Sequence, residues 1–245
     1  MRAFIQCNKD MEPMNPNVYN AYYGFREMGI ECVFFNSYEQ LDENYHTLSD
    51  VISGGIGMIK RRLEHFGIYV EDYDYPEELK KYLGRKVWKS TMNNIRDNQN
   101  LWPVFVKSTE QKKLTGKVIS KISDLVGCGI SGEDYPVFCS EPVNMLAEWR
   151  IFVRYGKVLD AKLYKGDWTQ HYDPEVIQNA INDFISAPDA YGIDFAVTDK
   201  GETILIEVND GFALGCYGMA YWNYSKFLIT RWAQITNTLD EYWYI

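Results

Sequence analysis

Oxygen-bearing side chains gather at the end of one apolar stretch of the sequence, ILIEVND. Within it, Glu207 and Asn209 alternate with aliphatic residues. Because successive side chains of a strand point to opposite faces, Glu207 and Asn209 should share one face. A hairpin turned by residues 199–201 would bring Asp194 of the preceding apolar stretch beside them. The sequence therefore predicts two carboxylates and an amide oxygen converging at one strand end.

Carboxylate and amide oxygens are hard ligands of the kind that Mg²⁺ prefers, and Mg²⁺ commonly completes its coordination with phosphate and water. We therefore predict that Asp194, Glu207 and Asn209 hold Mg²⁺ beside a phosphate ligand. For Glu207 alone, a solvated strand end is the more ordinary interpretation. The convergence of all three side chains favours the metal site, because neighbouring carboxylates repel each other without a cation.

Lysine residues upstream are candidates for binding that phosphate. Lys107 ends the apolar segment 103–108, where its flexible stem can reach a neighbouring ligand. Lys113 and Lys117 flank Gly116, where the backbone can come close to an anion. We predict phosphate contacts for all four residues. For Lys113, a solvated surface charge is the ordinary alternative.

The segment EWRIFV carries a carboxylate and a guanidinium on one strand face. Glu148 and Arg150 share that face, and apolar residues occupy the other. A carboxylate suits ribose hydroxyls, and an Arg suits a transferring phosphoryl group; a weak surface ion pair is the alternative. On the return strand, strict alternation puts Lys162 and Lys165 on opposite faces. We expect only one of them to face the ligand, and the sequence does not decide which.

Alternating strands and helices fill the first 70 residues and predict a small parallel sheet with crossover helices. The predicted elements are strand 2–7, helix 17–28 capped by Asn17, strand 31–35, strand 50–55 and helix 56–68. Downstream we predict a connecting helix over 75–88, strands at 103–108 and 136–143, and a turn leading into a strand over 111–119. Hairpins are predicted over 148–165 and 191–210, and helices at 174–185 and 217–239. The polar stretch 85–100 marks the predicted domain boundary.

Composition and charge narrow the class of protein. The formal net charge is −9, from 25 basic and 34 acidic side chains, which argues against a nucleic-acid partner. The 5 cysteines include no CxxC pair and fit no zinc site, so reduced thiols in a cytoplasmic protein are expected. The sequence shows no apolar leader and no run of about 18 apolar residues, so no membrane partner is expected.

An ordered set of motifs resembles the ATP-grasp superfamily. The set comprises Lys107, the spacing Glu141–Val143–Glu148, Asp194, and Glu207-Val208-Asn209 thirteen residues after Asp194. The stretches YLGRKVW, VFVKSTEQKKLTGKVI, SEPVNMLAEWRIFVRYGKV, YGIDFAV and LIEVNDGFALGCYGM resemble more closely a divergent clade. That clade includes a eukaryotic translation-initiation-factor assembly protein and bacterial and phage proteins. One departure is the absence of a multi-glycine phosphate loop after Lys107.

The resemblance implies an α/β (α+β) class with an ATP-grasp fold. It implies a small N-terminal Rossmann-like pre-ATP-grasp domain at 1–90 and an ATP-grasp domain at 91–245, whose two lobes hold ATP between them. The implied activity is that of an ADP-forming, Mg²⁺-dependent ligase. Such an enzyme activates a carboxylate as an acyl phosphate and joins it to an amine or other nucleophile of a peptide, protein or small molecule. A non-catalytic ATP-binding assembly factor and an ATP-grasp kinase are the alternatives.

Roles for single residues also follow from the resemblance. Lys107 should contact the α- and β-phosphates, Glu141 and Val143 should flank adenine, and Glu148 should hold the ribose. Mg²⁺ should lie on Asp194, Glu207 and Asn209, and the γ-phosphate should lie near Arg150 and one of Lys162 and Lys165. Arg85 and Lys89 are candidates for a further phosphate contact.

Overall fold

A parallel three-stranded sheet forms the N-terminal part of the chain. The computed structural model describes residues 1–44, 47–70, 73–109, 114–129 and 133–244. The first elements are β1 (Arg2–Gln6), α1 (Pro16–Glu27), β2 (Glu31–Phe35), α2 (Tyr38–Glu43), β3 (Val51–Ser53) and α3 (Ile56–His65). The strand order is β2-β1-β3, and both pairings are parallel. The prediction of a parallel sheet with crossover helices is confirmed.

Helix α1 begins earlier than predicted because its N-cap is Asn15 and not Asn17. The Asn15 side-chain oxygen accepts the backbone N–H groups of Asn17 at 3.0 Å and Val18 at 3.1 Å. Pro16 then takes the first helical position, where no N–H donor is needed. Asn17 is thereby left inside the first turn, with its side chain available for other contacts.

The predicted connecting helix over 75–88 is wrong. A short 3₁₀ turn, Glu77–Tyr82, is followed by strand β4, Val87–Thr91. The helix cannot continue through Gly84, which has a left-handed φ of 59° and lies so close to Ile204 that a Cβ would stand 2.3 Å from that side chain. The β-branched and aromatic residues that follow favour a strand.

Strand β4 belongs to a second, antiparallel sheet. Its other strands are β5 (Val104–Ser108), β6 (Lys117–Ile119) and β7 (Pro136–Ser140), in the order β4-β7-β5-β6. Helix α4 (Met92–Asp97) packs Met92 and Ile95 against the buried residues of this sheet. The predicted division of the chain into 1–90 and 91–245 stays a prediction.

The third sheet contains the two predicted hairpins, which are confirmed. Its strands are β8 (Met145–Arg154), β9 (Lys157–Gly166), β10 (Ala190–Thr198) and β11 (Thr203–Asp210), in the antiparallel order β11-β10-β8-β9. Helix α5 (Pro174–Asp183) packs on the face that carries Ile151, Val153 and Ile193. The opposite face carries the charged residues.

Helix α6 (Tyr221–Thr236) returns to the N-terminal sheet. Its Phe227 and Trp232 share one buried cluster with Phe4 and Phe25 of β1 and α1. The C-terminal helix thus completes the core of the N-terminal unit. Within the described residues, no helix combines the length and apolar character needed to cross a membrane.

The close crossing of α1 and α6 generates a stability prediction. A Cβ at Gly24 would stand 2.1 Å from Ser225 Oγ and 2.2 Å from the Tyr221 carbonyl oxygen. Gly24→Ala should therefore lower the free energy of unfolding by about 1–3 kcal/mol through overpacking, as measured by urea denaturation. Gly57→Ala is the matched control, because its Cβ would meet only Tyr38 Oη at 3.9 Å. Equal midpoints for the two variants would contradict this packing.

Candidate functional site

A cleft opens between the second and third sheets. Its cavity of about 490 Å³ is lined by residues from β5, β7, β8, β9 and β11 and from the segments between them. The predicted site residues along it are Lys107, Gly116, Glu141, Val143, Glu148, Lys165 and Glu207. Residues that are distant in sequence are therefore brought to one cleft.

A second cavity of about 400 Å³ adjoins the first. Lys107, Thr115 and Glu207 line both cavities, and Asn209 lines the second. Lys107 and Glu207 therefore lie at the junction of two spaces, one between the sheets and one toward the N-terminal sheet.

The Lys107 ammonium is held by two carboxylates. Its Nζ lies 2.5 Å from Glu207 Oε2 and 3.2 Å from Asp74 Oδ1. Burial alone would lower the pKa of Lys107, but Glu207 and Asp74 outweigh it and raise that pKa. Burial would raise the pKa of Glu207, but Lys107 lowers it. Both groups are therefore charged at neutral pH. The Lys107 ammonium could exchange these carboxylates for an anion that carries more charge.

Asp74 is a site residue that the sequence reasoning missed. Its backbone carbonyl accepts the N–H of Val208 at 2.9 Å, which ties this segment to β11. It has a left-handed φ of 44°, uncommon outside glycine though best tolerated by Asn and Asp. No local pattern marks Asp74, because it reaches Lys107 only through this tertiary pairing.

A row of charged side chains crosses the third sheet. Asp194 on β10 stands opposite Arg150 on β8 and Glu207 on β11. Arg150 donates from Nε and Nη2 to the two oxygens of Asp194, at 2.8 and 2.6 Å. Asp194 is only 1% exposed. Burial, with smaller contributions from the nearby Glu207 and Glu148, outweighs the opposing effect of Arg150 and raises the pKa of Asp194 to about 6.

The residues predicted to hold a metal fit that role chemically. Asp194 and Glu207 are direct cross-strand neighbours, and Asn209 Nδ2 donates to Glu207 Oε1 at 3.1 Å. The two carboxylates repel each other and are compensated by Arg150 and Lys107. The set is two carboxylates and an amide; the described residues contain no metal-type cluster of three or more His, Cys, Asp or Glu side chains. Carboxylate and amide oxygens are hard ligands of the kind that suits Mg²⁺.

Two aromatic rings flank the Arg150 guanidinium. Its Cζ lies 4.7 Å from the ring centroid of Tyr217 and 5.8 Å from that of Tyr164. Rings at these distances attract the cation through their quadrupoles. Arg150 is thus fixed by Asp194 on one side and aromatic faces on the other, which presets its position.

The predicted separation of Lys162 and Lys165 onto opposite faces is wrong. A bulge between Glu148 and Trp149 shifts the register, so that Lys165 stands opposite Glu148 and Lys162 opposite Arg150. Directly opposed residues share a face, and both lysines therefore lie on the charged side. Lys165 Nζ is 2.5 Å from Glu148 Oε1, whereas Lys162 Nζ is 3.0 Å from Asp160 Oδ2.

Of the adenine candidates, Glu141 is tied to Lys86, the residue before β4. The Lys86 N–H donates to Glu141 Oε2 at 3.0 Å, and the Glu141 N–H donates to the Lys86 carbonyl at 3.2 Å. Arg85 lines the same cavity, but it is engaged in donating to the carbonyls of Leu83 and Leu205 at 2.8 and 2.7 Å. These contacts set the position of the segment between β7 and β8.

The remaining predicted phosphate contacts lie elsewhere or are not described. Lys117 lines neither of the two cavities in the described part of the chain, and its Nζ donates to the Val126 carbonyl at 2.9 Å. Lys113 lies outside the described residues. Lys89 Nζ lies 5.4 Å from the ring centroid of Phe138. The proposed roles of Lys113 and Lys117 stay predictions.

Comparison with known proteins decides the family. The family model for the ATP-grasp domain, R2K clade family 2, matches residues 82–227, more than half of the chain. The chain belongs to this ATP-grasp family. The matched range includes every strand of the second and third sheets. The resemblance to the ATP-grasp superfamily seen in the sequence is confirmed.

Solved structures of a macrocyclase and of two ligases share the fold. The macrocyclase MdnC of Microcystis aeruginosa MRC, bound with the precursor peptide MdnA, has 12% identity and a TM-score of 0.54, over 94% of this chain and 99% of that chain. D-alanine–D-alanine ligase of Bacillus anthracis, complexed with ATP, has 15% identity and a TM-score of 0.54, over 96% and 97%. L-amino acid ligase of Bacillus licheniformis has 10% identity and a TM-score of 0.57, over 96% and 75%. Curated protein sequences give no significant match.

The buried pair of Arg150 and Asp194 generates a second stability prediction. Arg150→Met should lower the free energy of unfolding by about 3–5 kcal/mol, because it leaves a buried carboxylate without its partner. The double variant Arg150→Met/Asp194→Asn should recover part of that loss in the same urea titration. If the two substitutions are simply additive, the side chains are not coupled and the pairing described here is wrong.

Proposed function

We propose that the protein is an ATP- and Mg²⁺-dependent ligase that forms ADP. The supporting observation is that two cavities meet at Lys107 and Glu207. A nucleotide could bind in one cavity and an acceptor in the adjoining one. A carboxylate oxygen attacks the γ-phosphorus and ADP leaves. The nucleophile then attacks the carbonyl carbon of the acyl phosphate, inorganic phosphate leaves, and the nucleophile loses its proton to solvent or a base.

The cavity between the sheets is the proposed nucleotide site. We assign adenine to the segment 141–143, the ribose to Glu148 and the α- and β-phosphates to Lys107. Gly116 lines this cavity with a φ of 122°, which allows close backbone approach. Lys165 covers Glu148, so the ribose would displace that ammonium toward the phosphates. Lys113 and Lys117 are retained as proposed contacts of the phosphate-covering segment.

The proposed ligands of Mg²⁺ are Asp194, Glu207 and Asn209. A bound Mg²⁺ would neutralise part of the negative charge of the phosphates. Lys107 exchanges its present carboxylate partners, Glu207 and Asp74, for the phosphate oxygens of the polyphosphate. Arg150, Lys165 and Lys162 lie along one sheet face and stabilise the charge on the transferring phosphoryl group. These residues act by positioning and electrostatics.

We take the acceptor to be a peptide or protein. Two structural neighbours support this assignment: a macrocyclase bound with a precursor peptide, and a ligase that joins D-alanine to D-alanine. The product separates this proposal from its alternatives. A ligase yields ADP, phosphate and an amide or ester. A kinase yields ADP and a stable phosphorylated product, and an assembly factor binds ATP with little turnover.

Thermal unfolding with Mg²⁺ and ATP tests the nucleotide site. A nucleotide at about 100 times its dissociation constant should stabilise the wild type by about 2.7 kcal/mol, or about 5–10 °C in the midpoint. Glu207→Gln should abolish the part of the shift that requires Mg²⁺. Glu202→Gln is the matched control, because Glu202 is exposed at the turn of the same hairpin. No shift in the wild type would reject the nucleotide assignment.

A further inference from the structure

Two neighbouring arginines line a cavity between α2 and α3. Its volume is about 290 Å³, and its lining includes Tyr38, Asp42, Arg61 and Arg62. Pockets for small ligands commonly measure about 300–1,000 Å³, so this space suits one small group. The cavity lies before residue 82, where the range matched by the family model begins. Among the described residues it shares none with the two cavities of the cleft. We call it the arginine cavity.

The Arg62 guanidinium uses only half of one hydrogen-bonding edge. Its Nη2 donates to Asp42 Oδ1 at 2.6 Å, whereas its Nε is buried and has no partner among the described residues. Nε and Nη2 belong to one planar group and can donate side by side to a single anion. On Arg150 these same two atoms each donate to an oxygen of Asp194. Arg62 therefore keeps a buried donor that Asp42 does not satisfy.

The pair of Arg62 and Asp42 compensates the buried charge only in part. Arg62 is 3% exposed, whereas the Asp42 side chain is 49% exposed and so remains largely in water. Burial lowers the pKa of Arg62, and Asp42 opposes that effect without cancelling it. A buried donor of a charged group that lacks an acceptor is costly. An anion at Nε would supply the missing acceptor and the missing charge.

Arg61 presents a second guanidinium to the same cavity. Its Cζ lies over the Tyr38 ring, 3.8 Å from the ring centroid, and both residues line the arginine cavity. Such a contact holds the guanidinium by the ring face and leaves its edges free for hydrogen bonds. Its N–H groups donate to no residue in the described part of the chain. Arg61 is thus held in place with its donors unused.

Two carboxylates also line the cavity, and they decide which anion suits it. These are Asp42 and Glu64, and both residues are exposed, so that each side chain can turn toward solvent. A carboxylate ligand would only repeat what Asp42 already offers to Arg62. A phosphoryl group offers three acceptor oxygens and a charge of about −1.5 to −2, enough to bind two guanidinium groups at once.

We propose that the arginine cavity binds a phosphoryl group, either as inorganic phosphate or as a small phosphate monoester. One oxygen accepts from Arg62 Nε, and the others accept from the N–H groups of Arg61. The inference goes beyond the proposed ligase function and does not depend on it, because no residue of the cleft takes part. The phosphoryl group bound here is separate from the one that is transferred beside Lys107.

An NMR titration of the ¹⁵N-labelled full-length protein with inorganic phosphate tests the proposal. The arginine Nε–H signals are the readout, and sodium chloride at equal ionic strength is the reference. The Arg62 signal, identified by its loss in Arg62→Lys, should move with phosphate and not with chloride. Arg61→Gln should weaken phosphate binding by about tenfold, because it removes a charged donor. Asp42→Asn should strengthen binding, because it removes a competing negative charge.

Arg26→Gln is the matched control. Arg26 is also exposed, and its Cζ lies over the Tyr22 ring at 5.4 Å from the centroid, but it does not line the arginine cavity. This variant should keep the wild-type affinity for phosphate. Lys107→Gln should keep it as well, which separates the arginine cavity from the cleft.

Three outcomes would each overturn the proposal: an Arg62 signal that moves equally with chloride, equal affinities of the Arg61→Gln and Arg26→Gln variants, or acetate binding as tight as phosphate binding. Phenyl phosphate distinguishes the two sources of the phosphoryl group. Binding at least as tight as that of inorganic phosphate identifies a monoester as the ligand, and exclusion of phenyl phosphate identifies inorganic phosphate.

Discussion

The ion pair between Lys107 and Glu207 joins the two halves of the cleft. Lys107 belongs to β5 of the second sheet, and Glu207 belongs to β11 of the third. Asp74, on the segment that leads out of the N-terminal unit, contributes the other carboxylate. Three separate parts of the chain therefore meet at one ammonium group. A polyphosphate that took over this ammonium would bind where the sheets and the N-terminal unit already converge.

The two faces of the third sheet have different roles, one in packing and one in carrying charged side chains. One face is apolar and packs against α5, which stabilises the sheet. The other carries Arg150, Asp194 and Glu207 in one row. Arg150 and Asp194 are buried, which makes their charges costly unless they are paired. Asp194 stands at the centre of this row, on β10, where every residue is buried. Such an arrangement is typical of a site whose charges are needed for a ligand.

The sequence predicted the parts of this fold that depend on local pattern. Alternation located β8, β10 and β11, and the two-residue spacing placed Glu207 and Asn209 on one face. The sequence-based prediction failed where tertiary contacts determine the structure. The close contact of Gly84 with Ile204 ends the predicted helix. A bulge at Glu148 places Lys165 on the same face as Lys162. Asp74 carries no local signal, because its role arises from a β-bridge to Val208. The motif order identified the family, but not the acceptor.

A crystal structure with a non-hydrolysable ATP analogue and Mg²⁺ tests the central claim most directly. The account predicts adenine against the segment 141–143 and the ribose at Glu148. Lys107 Nζ should bind phosphate oxygens and no longer bind Asp74, and Mg²⁺ should be coordinated by Asp194, Glu207 or Asn209. A nucleotide bound elsewhere, or a Lys107 still paired with both carboxylates beside the bound analogue, would contradict the account.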